Sequence, residues 1–160
     1  MNHLLPFALY ESAPNVQTLY HGTDRETEAE LRRKYTIFVS DSYDIAMNYG
    51  ENIFEVTLDL GRVFDSRDPA HIASAYAAGF AIAEGDYGMV TDGETHPTPD
   101  DYLERADLRS TWWNVENTPG LIDWVFDGAG YDSLLLTEDG AVNHLTHSRR
   151  IVRAKIINGG

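Results

Sequence analysis

The chain has 160 residues, of which 42% are hydrophobic, none is cysteine, and 26 acidic residues against 12 Lys and Arg give a net charge of −14. The length and hydrophobic content fit one domain with its own core, and the lack of cysteine excludes disulfides, thiolate metal sites and a cysteine nucleophile. The acidic charge opposes binding to phosphate backbones and anionic lipid, so we expect no direct nucleic-acid or membrane binding. It suits a partner with a basic face.

The sequence contains no apolar run long enough for a transmembrane helix. Residues 1–6 lack the basic segment and the apolar core of a secretory signal. We therefore expect a cytoplasmic protein. Residues 1–15, which contain Pro6 and Pro14, are predicted to form an irregular arm.

Hydrophobic periodicity and turn residues divide the rest of the chain into short elements. The predicted strands are 16–21, 35–40, 52–60, 131–137, 142–146 and 150–157. The predicted helices are 24–34, 42–48, 71–83, 99–110 and 118–128. The clearest strand is 52–60, because its apolar residues Phe54, Val56, Leu58 and Leu60 alternate with polar ones.

Capping residues and glycines set the boundaries of these elements. The predicted N-caps of three helices are Asp24, then Ser40 or Asp41, and finally Thr118. The segment 84–100 is rich in Gly and Pro and is predicted to be a loop.

The order of strands and helices indicates the fold class. They do not alternate as a doubly wound fold requires. We therefore predict an α+β domain of mostly antiparallel strands, with helices packed on its flanks.

Two motifs, which follow each other along the chain, resemble motifs of a known family. Tyr20-His21-Gly22-Thr23 lies at the end of a strand. Further on, Ile37-Phe38-Val39-Ser40-Asp41 is followed by Ala46-Met47-Asn48-Tyr49. Both resemble motifs of the ADP-ribosyltransferase superfamily, in the branch of the poly(ADP-ribose) polymerases and diphtheria toxin. Small phage anti-CRISPR ADP-ribosyltransferases are similar in size and motif order.

The resemblance implies one ADP-ribosyltransferase-like domain over 1–160, with a split sheet, an insertion at 66–116 and NAD as its substrate. The strand-end motif would meet the nicotinamide end of NAD, and two aromatic rings would hold the nicotinamide between them. The residues assigned to NAD in this way are His21, Gly22, Thr23, Phe38, Ser40 and Tyr49.

The family also places an acidic residue near its late strands, where it contacts the hydroxyls of the nicotinamide ribose. Glu138 is our first candidate for this catalytic role and Asn143 the second, and Asp139 beside Glu138 stays open. His21 is the further catalytic candidate. We predict no metal site, because no acid–histidine spacing accompanies His71 or His96.

The leading hypothesis is therefore a mono-ADP-ribosyltransferase that modifies a macromolecule, most simply a protein with a basic nucleic-acid-binding face. Such an enzyme would act as a phage or bacterial effector, for example in counter-defence, and in the host cytoplasm if a phage encodes it. The alternatives are an NAD glycohydrolase, an RNA 2′-phosphotransferase, which the 12 Lys and Arg disfavour, and a non-enzymatic acidic binding module or nucleic-acid mimic.

Overall fold

The computed structural model describes residues 14–24, 27–86 and 89–158, so most of the predicted N-terminal arm lies outside the described residues. The strands are β1 Val16–Thr23, β2 Thr36–Ser40, β3 Asn52–Asp59, β4 Val63–Asp65, β5 Ala83–Asp86, β6 Met89–Thr95, β7 Ser133–Glu138, β8 Ala141–His147 and β9 Ile151–Asn158. The helices are α1 Glu28–Arg33, α2 Tyr43–Met47, α3 Pro69–Ala77, α4 Pro99–Arg105, α5 Trp112–Glu116 and α6 Leu121–Asp123. A π-helical turn, Trp124–Gly128, continues α6, and a 3₁₀ turn spans Ser148–Arg150.

Seven strands form one sheet in the order β4-β7-β8-β2-β1-β3-β9, and β5 and β6 pair separately as a hairpin. Every pairing in the large sheet is antiparallel except that of β4 with β7. The prediction of an α+β fold with mostly antiparallel strands is confirmed. No helix within the described ranges is long and apolar enough to cross a membrane.

The large sheet separates two hydrophobic clusters. One lies under α1 and contains Leu31 together with Ile37 and Val39 of β2. The other is built mainly from α3 to α6, and Phe38 of β2 packs against it. Because side chains alternate along a strand, β2 contributes to both clusters, and the predicted one-sided burial of β3 is likewise observed.

Three predicted helix caps are wrong. Thr27 caps α1, since its side chain accepts a hydrogen bond from Glu30 N, whereas Asp24 accepts from Glu51 N at 3.2 Å. Ser42 caps α2, and Ser40 instead accepts from Ser42 N at 3.0 Å. In each case the hydroxyl nearest the first helical turn takes the cap.

The third wrong cap is Thr118. Its hydroxyl donates to Asn114 O at 2.7 Å and accepts from Ala83 N at 2.8 Å. Gly120, with a φ of 78°, precedes the first turn of α6. Thr118 therefore links α5 to β5 and does not start a helix.

The segment 84–100 is not a loop as predicted, because β5 and β6 occupy most of it. Asn114 of α5 holds β5 in place, as its Nδ2 donates to Ala83 O and Gly85 O. These contacts are distant in sequence, so the local Gly and Pro content did not reveal them. The predicted helix 71–83 is shifted: it begins at Pro69 after the cap Asp68 and ends at Ala77.

Candidate active site

The candidate site lies where β1 and β2 separate. The two strands share one register position, Tyr20 opposite Ser40, while β1 stays paired with β3 as far as Thr23. Beyond Tyr20, the ring of His21 reaches across, and its Nδ1 lies 2.7 Å from Phe38 O. A carbonyl can only accept, so Nδ1 carries the proton. In the neutral ring Nε2 is then an acceptor, suited to a ligand hydroxyl.

Gly22 has a packing reason that the sequence did not indicate. A Cβ built on Gly22 would lie 1.8 Å from Ala46 O and 2.7 Å from Ala46 C, both in the backbone of α2. Any side chain here would push α2 away from β1. Gly22 therefore sets the position of α2 and of Tyr49, which follows α2.

We expect Gly22→Ala to destabilise the protein by about 2–3 kcal/mol, because a backbone carbonyl cannot rotate out of the way. Urea unfolding measures this difference. Gly130→Ala is the matched control: its φ is 75° but no atom lies within 4 Å of the added Cβ, so it should cost only about 1 kcal/mol of backbone strain. Equal losses in the two variants would contradict the packing role of Gly22.

The two aromatic rings assigned to the nicotinamide lie together. The centroids of Phe38 and Tyr49 are 5.4 Å apart and their planes meet at 54°. A flat ring between two aromatic faces would need about 7 Å between their centroids, so Tyr49 would move outward by about 2 Å. Tyr49 is 46% exposed, and such a movement breaks little packing.

Glu138 contacts both Tyr49 of the second motif and Asn143, the other candidate on the late strands. Its Oε1 accepts hydrogen bonds from Tyr49 OH at 3.2 Å and from Asn143 Nδ2 at 3.1 Å. The turn that follows has a φ of 50° at Asp139 and 83° at Gly140, the hairpin geometry that Asp-Gly predicts. Asp139 is exposed on this turn, and Glu138 is the acid that contacts Tyr49 and Asn143.

Asn143 is fully buried, and its Oδ1 has no hydrogen-bond partner in the described part of the chain. It lies opposite Ser40 on β2 and Leu136 on β7. Ser40 is also buried, with its hydroxyl turned to the start of α2. Thr23, also buried, is opposite Asn52 at the end of β1.

Glu116, at the end of α5, is a neighbour of the site that the sequence did not indicate. Burial raises its pKa, and the negative charge of Glu138 raises it further. The segment before α5 is fixed to β7 because Thr111 and Thr137 exchange backbone-to-hydroxyl hydrogen bonds of 2.9 and 3.0 Å. Part of the predicted 66–116 insertion therefore lies beside Glu138.

The two histidines considered as metal ligands have other contacts. His71 Nδ1 accepts from Asp65 N at 2.8 Å, and His96 Nδ1 lies 2.9 Å from Asp101 Oδ2. Across residues 14–24, 27–86 and 89–158, no group of three or more His, Asp or Glu side chains is arranged to hold a metal ion.

Comparison with known proteins finds a solved structure of low similarity. No protein-family model and no curated protein matches the chain. The chain is similar to a solved structure described as the crystal structure of an anti-CRISPR protein, with 11% sequence identity, a TM-score of 0.44, and coverage of 89% of this chain and 96% of that one.

Proposed function

We propose that this protein is an NAD-dependent mono-ADP-ribosyltransferase that modifies a protein. The observation that carries the proposal is the convergence of His21, Phe38, Tyr49, Glu138 and Asn143. They come from four strands and the end of a helix, and hydrogen bonds or ring contacts join them into one group. This clustering of residues that are distant in sequence supports the proposal.

In the proposed reaction the bond between the nicotinamide nitrogen and C1′ of the ribose breaks, and its electron pair leaves with neutral nicotinamide. Phe38 and Tyr49 hold the departing ring. Glu138 stabilises the positive charge that develops on the ribose, an electrostatic contribution often worth about 10²–10³ in rate. A nucleophile of the acceptor then bonds to C1′, and its proton passes to solvent.

Asn143 and His21 are positioning residues in this scheme. Asn143 Nδ2 donates to Glu138 Oε1 at 3.1 Å, which fixes the carboxylate from a fully buried strand position. His21 is fixed in turn by Phe38 O. Charged groups held in this way need little reorganisation during the reaction, which is why preorganised sites are effective.

The net charge of −14 supports an acceptor with a basic surface, because opposite charges steer association and like charges oppose it. A nucleic-acid-binding protein presents such a face. We therefore place the enzyme among effectors that act on a nucleic-acid-binding protein, as a counter-defence protein would.

The test is to incubate the purified protein with labelled NAD and bacterial lysate, beside Tyr49→Ala and the control Met47→Ala. Met47 is on α2 and is 51% exposed, so its loss should not affect the site. We expect one labelled protein band with the wild type and with Met47→Ala, and its loss with Tyr49→Ala.

The other outcomes separate the alternatives. Free nicotinamide without a labelled band would identify an NAD glycohydrolase. A ligand that binds the folded state must raise the melting temperature. If neither product forms and NAD does not raise it, the assignment of an NAD site is wrong. The hypothesis of an acidic binding module would then take its place.

A further inference from the structure

A concave site lies at the end of β2 and β8 away from the candidate active site. It is a cleft of about 220 Å³, lined by Arg33, Lys34, Tyr35, His147, Ser148 and Arg149. His147 and Asn143 are four residues apart on β8, so the cleft is about 13 Å along the strand from the candidate active site. No motif led to it.

The cleft is unusual in its charge. Three of its six lining residues are Lys or Arg and none is acidic, in a chain with more than twice as many acidic as basic residues. Three of the 12 Lys and Arg of the chain therefore meet at one concave place. Guanidinium groups in such a place favour phosphate, because their fork of N–H donors matches its oxygens.

The walls of the cleft are held in place by Ser148. Its backbone N–H donates to Tyr35 O at 3.1 Å, and its hydroxyl donates to the carbonyls of Arg32 and Lys34. These bonds join the end of α1 to the turn after β8. The basic side chains thus stand on a fixed backbone, which lowers the entropic cost of binding a ligand.

Two aromatic groups border the basic residues. Tyr35 is 76% exposed, and its ring meets that of His147 edge to face with centroids 5.0 Å apart. His147 is 8% exposed, and its Nδ1 has no hydrogen-bond partner in the described residues. Tyr35 offers a ring face to a flat group, and His147 contributes a polar atom not yet paired.

The volume of the cleft and the net charge of the chain favour a small phosphate-bearing ligand over a long one. A space of 220 Å³ is roughly that of seven waters in the liquid, enough for one or two phosphates and part of a sugar. A long nucleic acid would in addition meet the repulsion of the whole acidic surface. A small ligand interacts mainly with the cleft itself.

We propose that this cleft binds the phosphate groups of a small nucleotide, with Arg33 and Arg149 on the phosphates and the ring of Tyr35 against the base or sugar. The site is separate from the candidate NAD site and does not depend on the proposed transferase activity.

The test is titration calorimetry of the whole chain with adenosine diphosphate, and with inorganic pyrophosphate as a probe without base or sugar. We expect the double variant Arg33→Gln/Arg149→Gln to weaken both at least tenfold, since charge-assisted hydrogen bonds are lost. Tyr35→Ala should weaken the nucleotide alone. The matched control is Arg105→Gln/Lys155→Gln, which removes the same charge from side chains that are 63% and 65% exposed.

The decisive comparison uses Tyr49→Ala at the other site. Nucleotide binding that survives Tyr49→Ala but not the cleft variant supports a second site, whether or not any transfer activity is found. No binding at up to about 1 mM nucleotide, or equal losses in the cleft and control variants, would overturn it. If Tyr49→Ala and the cleft variant weaken both NAD and the nucleotide in the same proportion, the cleft is part of the NAD site.

Discussion

Glu138→Gln should lower the rate of ADP-ribose transfer by about 10²–10³, the typical effect of removing one preorganised electrostatic group. Gln keeps the oxygen that accepts from Tyr49 OH and Asn143 Nδ2, so it removes the negative charge and little else. The loss should appear in kcat, because the charge is needed only when positive charge develops on the ribose. NAD affinity, measured by calorimetry, should change by no more than a few-fold.

Asp139→Asn provides the matched control for Glu138→Gln. It removes one carboxylate charge from the next residue, and Asn tolerates the positive φ of 50° found there. We expect its transfer rate to stay within about twofold of the wild type, well short of an electrostatic contribution. A large loss in Asp139→Asn with full activity in Glu138→Gln would show that Asp139, and not Glu138, is the catalytic acid.

Folding is a further check on Glu138→Gln. The negative charge of Glu138 raises the pKa of Glu116, so the two carboxylates repel each other at neutral pH. Neutralising one of them should leave the melting temperature unchanged or slightly higher, since exposed charge pairs are worth less than about 1 kcal/mol. A clear drop in melting temperature would instead mean that the variant loses activity through its fold.

Local patterns predicted much of the fold and the site because local physics determines those parts. The alternation in β3 and the Asp-Gly turn at 139–140 depend on neighbouring residues alone. The candidate residues His21, Phe38, Tyr49 and Glu138 were named from a resemblance of motifs, and in the structure they lie in contact with one another; their role stays a prediction.

Contacts between distant residues account for what the sequence did not reveal. Thr118 has the composition of a cap, but its hydroxyl is used 35 residues away at Ala83. Glu116 lies near Glu138 because Thr111 forms hydrogen bonds with Thr137. No spacing of residues in the sequence predicts this contact between α5 and β7. The basic cleft is formed by residues 33–35 together with residues 147–149. In the sequence these two segments have the composition of an ordinary helix end and an ordinary strand end.

The second large effect that we predict is a loss of folding stability at acid pH, caused by His144. It lies in β8 opposite Val39 and Leu135, is 3% exposed, and its Nδ1 has no hydrogen-bond partner among the described residues. Burial disfavours the charged ring and lowers the pKa of His144 to about 4; the carboxylates of Asp41 and Asp65 oppose this only partly. The short alternation of 142–146 did not indicate a buried histidine.

The lowered pKa of His144 sets the sign and the pH range of the effect. Between its unfolded value of 6.5 and its folded value of about 4, the unfolded chain binds a proton that the folded one rejects. Stability is therefore full above pH 6.5 and falls as the pH drops towards 4. The total loss is about 3 kcal/mol. Asp59, whose pKa is lowered mainly by the hydrogen bond from Asn15 N, acts in a lower range, below about pH 4.

We therefore expect the free energy of unfolding, measured with urea, to fall by about 2–3 kcal/mol between pH 7 and pH 4.5, and to fall far less in His144→Leu. The leucine variant removes the titrating ring and the unpartnered Nδ1 from a mostly apolar setting, so it should also fold stably at pH 7. A second variant, His144→Gln, keeps a polar side chain without the titration and should show the same weak dependence on pH. If both variants keep the full loss of stability, another group titrates in this range. An imidazole NMR titration placing the pKa of His144 near 6.5 in the folded protein would contradict the burial argument directly.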